Sequence, residues 1–285
     1  MKAKGKSGGT KAQIRALKEH ERRISLVVTV ILLTVILLVS GFLIHSILFS
    51  SSEEENLPQP TLQFKPVNSK SELKAAIVDH LSLTFPNETF VQAAANILTQ
   101  VNYTVDYFSG EKVTVNFYKS LPESGYKLII FRVHSGLAPD RNTIFMFTSE
   151  PYSKTGYVGE QLNDQVNAVT YDIHASERPL YFAVLPKFIK ECAKGRFNDT
   201  VIILMGCRGL ETESLASTLI EKGAKVYIGW NGSVSASHTD TATTCLLHHL
   251  ITEKQTIKQA VENTMKETGP DPNYESMLTY YPTET

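Results

Sequence analysis

The chain has 285 residues, a hydrophobic share of 42% and a net charge of −1. That length suits one sizeable domain with extra segments. The only strongly charged block is residues 1–23, where eight basic side chains face only Glu19 and Glu21, and the segment that follows removes nucleic acid as the reason for it.

Residues 24–49 (ISLVVTVILLTVILLVSGFLIHSILF) contain no Asp, Glu, Lys or Arg. As a helix they span about 39 Å, enough to cross a hydrocarbon layer of about 30 Å with some tilt. The run exceeds the roughly 7–15 apolar residues of a cleavable signal peptide. A helix apolar on all sides for so long has no place inside a domain this small. The expectation is an uncleaved transmembrane helix. Basic residues precede it, while residues 50–55 (SSSEEE) follow it, and the first lysine beyond is Lys65. The positive-inside bias then leaves the N-terminus in the cytoplasm and the remainder outside, as a single-pass protein of the cell membrane. Topology and anionic lipid account for the basic tail, so the expected contacts are the bilayer through residues 24–49 and no nucleic acid.

Residues 50–69, with Pro58, Pro60 and Pro66, read as a stalk, and residues 70–285 as the folded domain. In chain order, SELKAAIVDHLSLTF and FVQAAANILTQV read as helices, and NYTVDYF as a strand ended by Ser109-Gly110. TVNFYKSLPESG reads as a helix capped by Thr114, although its alternation also suits a strand. YKLIIFRV is a buried strand ending in His134-Ser135-Gly136, and TIFMFTSEPY is a strand or hairpin arm before a long polar region at 153–178. PLYFAVLPKFIKECAKG reads mostly as helix, with Pro186 interrupting it or marking a late start, and Gly195 as its stop. VIILM, a helix over ETESLASTLIEKG capped by Gly223, and the strand KVYIGW follow, and then two amphipathic helices, HTDTATTCLLHHLITEK and TIKQAVENTMKET. Strands apolar on both faces belong in a parallel sheet covered by helices, so the fold class is α/β, layered.

Ligands gather at the carboxyl edge of such a sheet. Two strands stop there with reactive side chains, one at His134 and the other at Cys207. If the strands are parallel and close, imidazole and thiol share one crevice. The thiolate is a nucleophile toward an acyl carbon, and the histidine assists by proton transfer. The backbone N–H of Cys207, with one from the Ser135-Gly136 turn, can donate to a developing oxyanion. The bland reading, a packed cysteine and a loop histidine, stays open at this point. Residues 70–285 contain no G-x-S-x-G, the chain contains no G-x-G-x-x-G or Walker A pattern, and His248-His249 lacks H-E-x-x-H spacing, so neither a metal nor a cofactor is expected. Cys192, Cys207 and Cys245 are an odd set in an exported domain, and a pair between Cys192 and Cys245 would leave Cys207 free. N-x-[ST] sequons begin at Asn87, Asn102, Asn198 and Asn231.

An apolar block ending in His134-Ser135-Gly136 and a later one ending in Met205-Gly206-Cys207 resemble the signature of the caspase-like (clan CD) cysteine peptidases, among them caspases, legumains, gingipains and CHAT-domain proteins. GCRG at 206–209 is similar to part of the caspase nucleophile pattern, and LASTLIEKGAKVYIGWNGSVSASHTD to CHAT and legumain segments. The resemblance spans roughly residues 100–260. It implies a three-layer α/β/α sandwich with a mainly parallel sheet and a cysteine endopeptidase acting on a peptide or protein. His134 would be the catalytic imidazole serving the leaving amine, and Cys207 the nucleophile. Backbone of Ser135, Gly136 and Cys207 would line the oxyanion site. The family has Gly directly after His, where this chain has Ser135. Trp230 would line the substrate pocket or sit in the core. Asp240 would pair with a basic P1 side chain, with Asp172 as the weaker choice, or be a solvated loop carboxylate. The alternative is an inactive caspase-like surface module that binds a peptide or protein partner.

Overall fold

A computed structural model describes residues 19, 22, 23, 26, 28–40, 57–66, 73–139, 142–171 and 179–283. The chain divides into two compact units, residues 1–55 and 56–285. In the first, residues 28–40 are helical and their Leu, Ile and Val side chains are exposed. Thr34 and Ser40 turn their hydroxyls back onto the carbonyls of Val30, Ile31, Ile36 and Leu37. The predicted span 24–49 lies in part outside the described residues, and among those described no helix is long and apolar enough to cross a membrane.

The second unit is built on a seven-stranded sheet in the order β1-β3-β2-β4-β9-β10-β11. Its parallel centre comprises β3 (Tyr103–Ser109), β2 (Leu73–Asp79), β4 (Leu128–Arg132), β9 (Thr200–Leu204) and β10 (Ala224–Trp230). The edges are antiparallel, β1 (Leu62–Phe64) on β3 and β11 (Leu278–Tyr281) on β10. Period-two alternation sends successive residues of each central strand to opposite faces. Ala75 and Ile77 of β2 join one apolar cluster, and Ala76 and Val78 join another. The first cluster holds residues of helices α1 (Glu88–Gln100), α6 (Ala236–Leu247) and α7 (Ile257–Thr268). The second holds residues of α2 (Val115–Ser120), α4 (Pro186–Glu191) and α5 (Ser214–Glu221). The domain is therefore α/β with a mostly parallel mixed sheet, consistent with a three-layer sandwich. A second, antiparallel sheet runs β5-β6-β8-β7: β5 (Ser135–Leu137), β6 (Ile144–Pro151), β8 (Tyr181–Val184) and β7 (Val166–Val169), with α3 (Val158–Leu162) leading into β7.

Several local readings change. Leu73–Asp79 is a strand instead of a helix, because β3 and β4 pair with it on both sides. Tyr181–Val184 is likewise a strand, and Pro186 opens the short helix behind it. The expected stalk contributes β1, so part of residues 50–69 belongs to the folded unit. The helix over Val115–Ser120 forms as read, with the Thr114 hydroxyl accepting from the Phe117 amide. Gly223 follows α5 at φ +106°, the left-handed backbone that a helix stop requires. All three cysteines are free thiols.

Candidate active site

The strand register positions the two reactive side chains. β4 and β9 are parallel neighbours, with Leu128 opposite Val201 and Phe131 opposite Leu204. The Met205 amide still donates to Phe131 O at 2.8 Å beyond the last pair. Continued along both chains, this register sets His134 opposite Cys207. Neighbouring strands lie about 4.8 Å apart, so both side chains leave the carboxyl edge at one place. Among the parallel strands, β3 lies on one side of β2 and β4 on the other, which makes the β2/β4 gap a switch point of the kind where ligands bind.

A cavity of about 310 Å³ opens there. His134 and Cys207 both line it, with Val133, Met205 and Gly206 from the same two strand ends. Leu81 and Phe85 enter from the loop after β2, Val234, Ser235, Ala236 and Thr239 from the start of α6, and Tyr274 from the last loop. Both reactive residues are half-buried. Gly206 has no room for a side chain: a Cβ would collide with Val133 O and Ser135 Oγ. Arg208 turns the chain at φ +61°, and its amide donates to Gly232 O at 2.7 Å.

The thiol is held by backbone. Cys207 Sγ lies 3.6 Å from Val234 O and accepts from the Val234 amide at 3.4 Å. Ser135 Oγ donates to Cys207 O at 2.7 Å. Among the described residues the Cys207 amide makes no hydrogen bond. In an antiparallel ladder, bonded and non-bonded pairs alternate. Phe147 N donates to His134 O and Ala138 N to Thr143 O, so the Gly136 pair with Phe145 is also a bonded one. Gly136 N–H is thus spent on β6, and Ser135 N–H points away from β6, off the free edge of β5. Of the two turn amides only that of Ser135 is not used by β6, and Ser135 is itself buried and outside the lining of the cavity.

The imidazole is held by side chains. His134 Nε2 lies 3.1 Å from Thr84 Oγ1, so when Thr84 accepts, Nδ1 keeps the lone pair. Tyr171 stacks on the ring at 5.3 Å and 15°, and itself stacks on Tyr181. His80 and Phe147 meet His134 edge-on. Burial, and then the Arg132 charge, lower the His134 pKa to about 4, so the ring is neutral at pH 7. His80 is also lowered to about 4, by burial first and His134 second.

Two residues expected at the substrate site do not line this cavity. Asp240 is buried against Arg132, which is 1% exposed: Nε reaches Oδ1 at 2.7 Å and Nη2 reaches Oδ2 at 2.9 Å. Asn87, the cap of α1, adds a bond to Oδ2. Both Asp240 oxygens are occupied, and the residue does not line the His134/Cys207 cavity. Trp230 is fully buried, with Nε1 bonded to Thr239 Oγ1, and it lies outside that lining as well. Asp172 lies outside the described residues. Sequence reading missed Arg132, which also binds Asp79 at 2.8 Å and Phe85 O at 2.7 Å. A lone charge in an otherwise apolar strand was the available signal, since a buried charge needs partners. Burial pushes the Asp79 carboxyl up despite Arg132 beside it. Thr84 and Tyr171 were missed too, because only the fold brings them to the ring.

No family model matches this chain, and no curated protein matches it.

Proposed function

We propose that the chain is a membrane-anchored, outward-facing cysteine endopeptidase of the caspase-like kind, with Cys207 as nucleophile and His134 as proton carrier. The observation that supports this most is the β4/β9 register that sets the two residues opposite each other on the wall of one cavity. In this reading the Cys207 sulfur bonds to the scissile carbonyl carbon while its proton passes to neutral His134. The C–N bond then breaks, and His134 gives that proton to the leaving amine. Water attacks the thioester, again losing a proton to His134. The C–S bond breaks and the thiol is restored. The Cys207 amide would face the oxyanion.

The cavity wall carries no Asp, Glu, Lys or Arg among the described residues. It therefore suits a neutral P1 side chain better than the basic one that Asp240 was expected to pair with. Residues 28–40, helical with exposed apolar side chains and hydroxyls bonded within the helix, support a membrane-spanning segment over 24–49.

A second reading, an inactive caspase-like module that binds a peptide or protein, is favoured by the Thr84 bond and Tyr171 stack that hold the imidazole at rest. A fluorogenic peptide library screened with the full chain in detergent separates the two. Turnover that vanishes in Cys207→Ala, together with selective labelling of Cys207 by a thiol-acylating probe, is expected of the peptidase. An unlabelled Cys207 and a fully functional Ala variant would leave only the binding module.

A further inference from the structure

The far end of α6 gathers a second set of reactive groups. Cys245 sits in its last turns and His249 four residues on, where the helix passes into a π turn over His248–Thr252. Residues four apart share one helical face, and π turns inside helices are frequent at functional sites. Glu267, near the end of α7, meets both. Cys245 Sγ lies 3.3 Å from Glu267 Oε2, and His249 Nε2 lies 2.9 Å from Glu267 Oε1. The three ligand atoms lie within 4.8 Å of one another.

An independent observation at His249 points to a positive partner. The His249 side chain is 7% exposed, and its buried Nε2 has no hydrogen-bond partner among the described residues despite the near carboxylate. Its other nitrogen, Nδ1, is engaged by Glu253 Oε2 at 2.8 Å. A carboxylate only accepts, so in the neutral ring Nδ1 carries the hydrogen and Nε2 presents a lone pair. That lone pair faces carboxylate oxygen, an arrangement relieved only by a proton on Nε2 or by a cation between the two. A carboxylate on the remote nitrogen is also how metal-bound histidines are oriented.

We propose that Cys245 Sγ, His249 Nε2 and the Glu267 carboxylate form a three-ligand site for a divalent transition metal of the zinc class, with Glu253 orienting His249. Sulfur, imidazole and carboxylate in this number suit tetrahedral Zn²⁺ with one position left for water or a further ligand. Binding releases the thiol proton to solvent as the S–metal bond forms. Cys245 and Glu267 also line a cavity of about 560 Å³, which gives the ion a way in. The ion would tie α6 to α7, and α6 carries Ser235, Ala236 and Thr239 to the His134/Cys207 cavity at its other end.

The test uses the untagged full chain in detergent, stripped with a chelator, kept reduced and titrated anaerobically with Co²⁺ and then Zn²⁺. One Co²⁺ per chain is expected, with a thiolate-to-cobalt charge-transfer band that Zn²⁺ removes. Cys245→Ser should abolish that band, and Glu267→Gln, at an exposed side chain, should weaken binding with the far-ultraviolet circular dichroism unchanged. Glu253→Gln should weaken it about 10–100-fold, while Cys207→Ala should bind as the parent does. Absence of the band, its survival in Cys245→Ser, or its loss in Cys207→Ala would overturn the assignment.

Discussion

Cys207 and Cys245 lie near opposite ends of α6, and their surroundings differ in kind. Cys207 is held by main chain: the Val234 carbonyl and amide at its sulfur, the Ser135 hydroxyl on its carbonyl and β4 beside it. Cys245 is surrounded by side chains from a π turn and a second helix. A site made of backbone inherits its geometry from strand register. A site made of side chains depends on how two helices pack.

The largest test of this contrast is catalytic. Cys207→Ala should lower peptide turnover by roughly 10⁴-fold or more, as losing a nucleophile does. Cys245→Ser should leave most of that turnover while removing metal binding. Kinetics of both variants on one peptide substrate check the pair. Equal losses would mean that the two ends of α6 act as one unit.

How much of each region could be read in the sequence follows the same division. YKLIIFRV and VIILM declare buried parallel strands because residues 128–131 and 201–205 are wholly apolar, and the chain just beyond them carries His134 and Cys207. The β2 segment was misread because Lys74, Ala75 and Ala76 have good helix propensity, and pairing with β3 and β4 overrides it. β1 and β11 are short antiparallel edges whose few residues carry little pattern. Asp240 and Trp230 were placed through the resemblance of their segment to CHAT and legumain segments, which says nothing of where a side chain points; both make buried contacts. His248-His249 was set aside for lacking H-E-x-x-H spacing, and nothing in the sequence linked the pair to Cys245. The π turn and Glu267, 18 residues beyond His249, lie outside any such pattern.

Arg132 gives the next largest effect and sharpens the division within one strand. It stands two residues before His134, yet its guanidinium is buried between Asp79 and Asp240. Arg132→Ala leaves two buried carboxylates without their partner and should cost about 3–5 kcal/mol. Chemical denaturation of the full chain measures it. Asp240→Asn should likewise lower stability without changing P1 preference. A changed preference with unchanged stability would return Asp240 to the substrate site.

Gly206→Ala probes the backbone-built side alone. The added methyl would meet Val133 O, a backbone atom just past β4 that cannot swing aside as a side chain can, as well as Ser135 Oγ. Overpacking of this kind costs about 1–3 kcal/mol. Binding of Co²⁺ at the far end of α6 should be unchanged, so paired denaturation and cobalt titrations would show whether strain at one end reaches the other.

The smallest effect near neutrality is electrostatic, and it grows as acid is added. His134 and His80 are held at about 4, against 6.5 for a free side chain. Between those values the unfolded chain binds protons that the folded chain does not. The stability that depends on neutral rings is therefore complete above pH 6.5 and is lost progressively as pH falls toward 4. Asp271 acts in the same direction lower down. Burial raises its pKa, but the amides of Ser235, Asn273 and Tyr274 outweigh burial and hold the carboxyl below its usual range. Melting curves from pH 8 to pH 4 should show the loss beginning near 6.5, and His134→Gln should flatten that slope without moving the loss at lower pH. An unchanged slope in the variant would mean that the imidazole is not buried as described, and the neutral ring on which the proton relay depends would go with it.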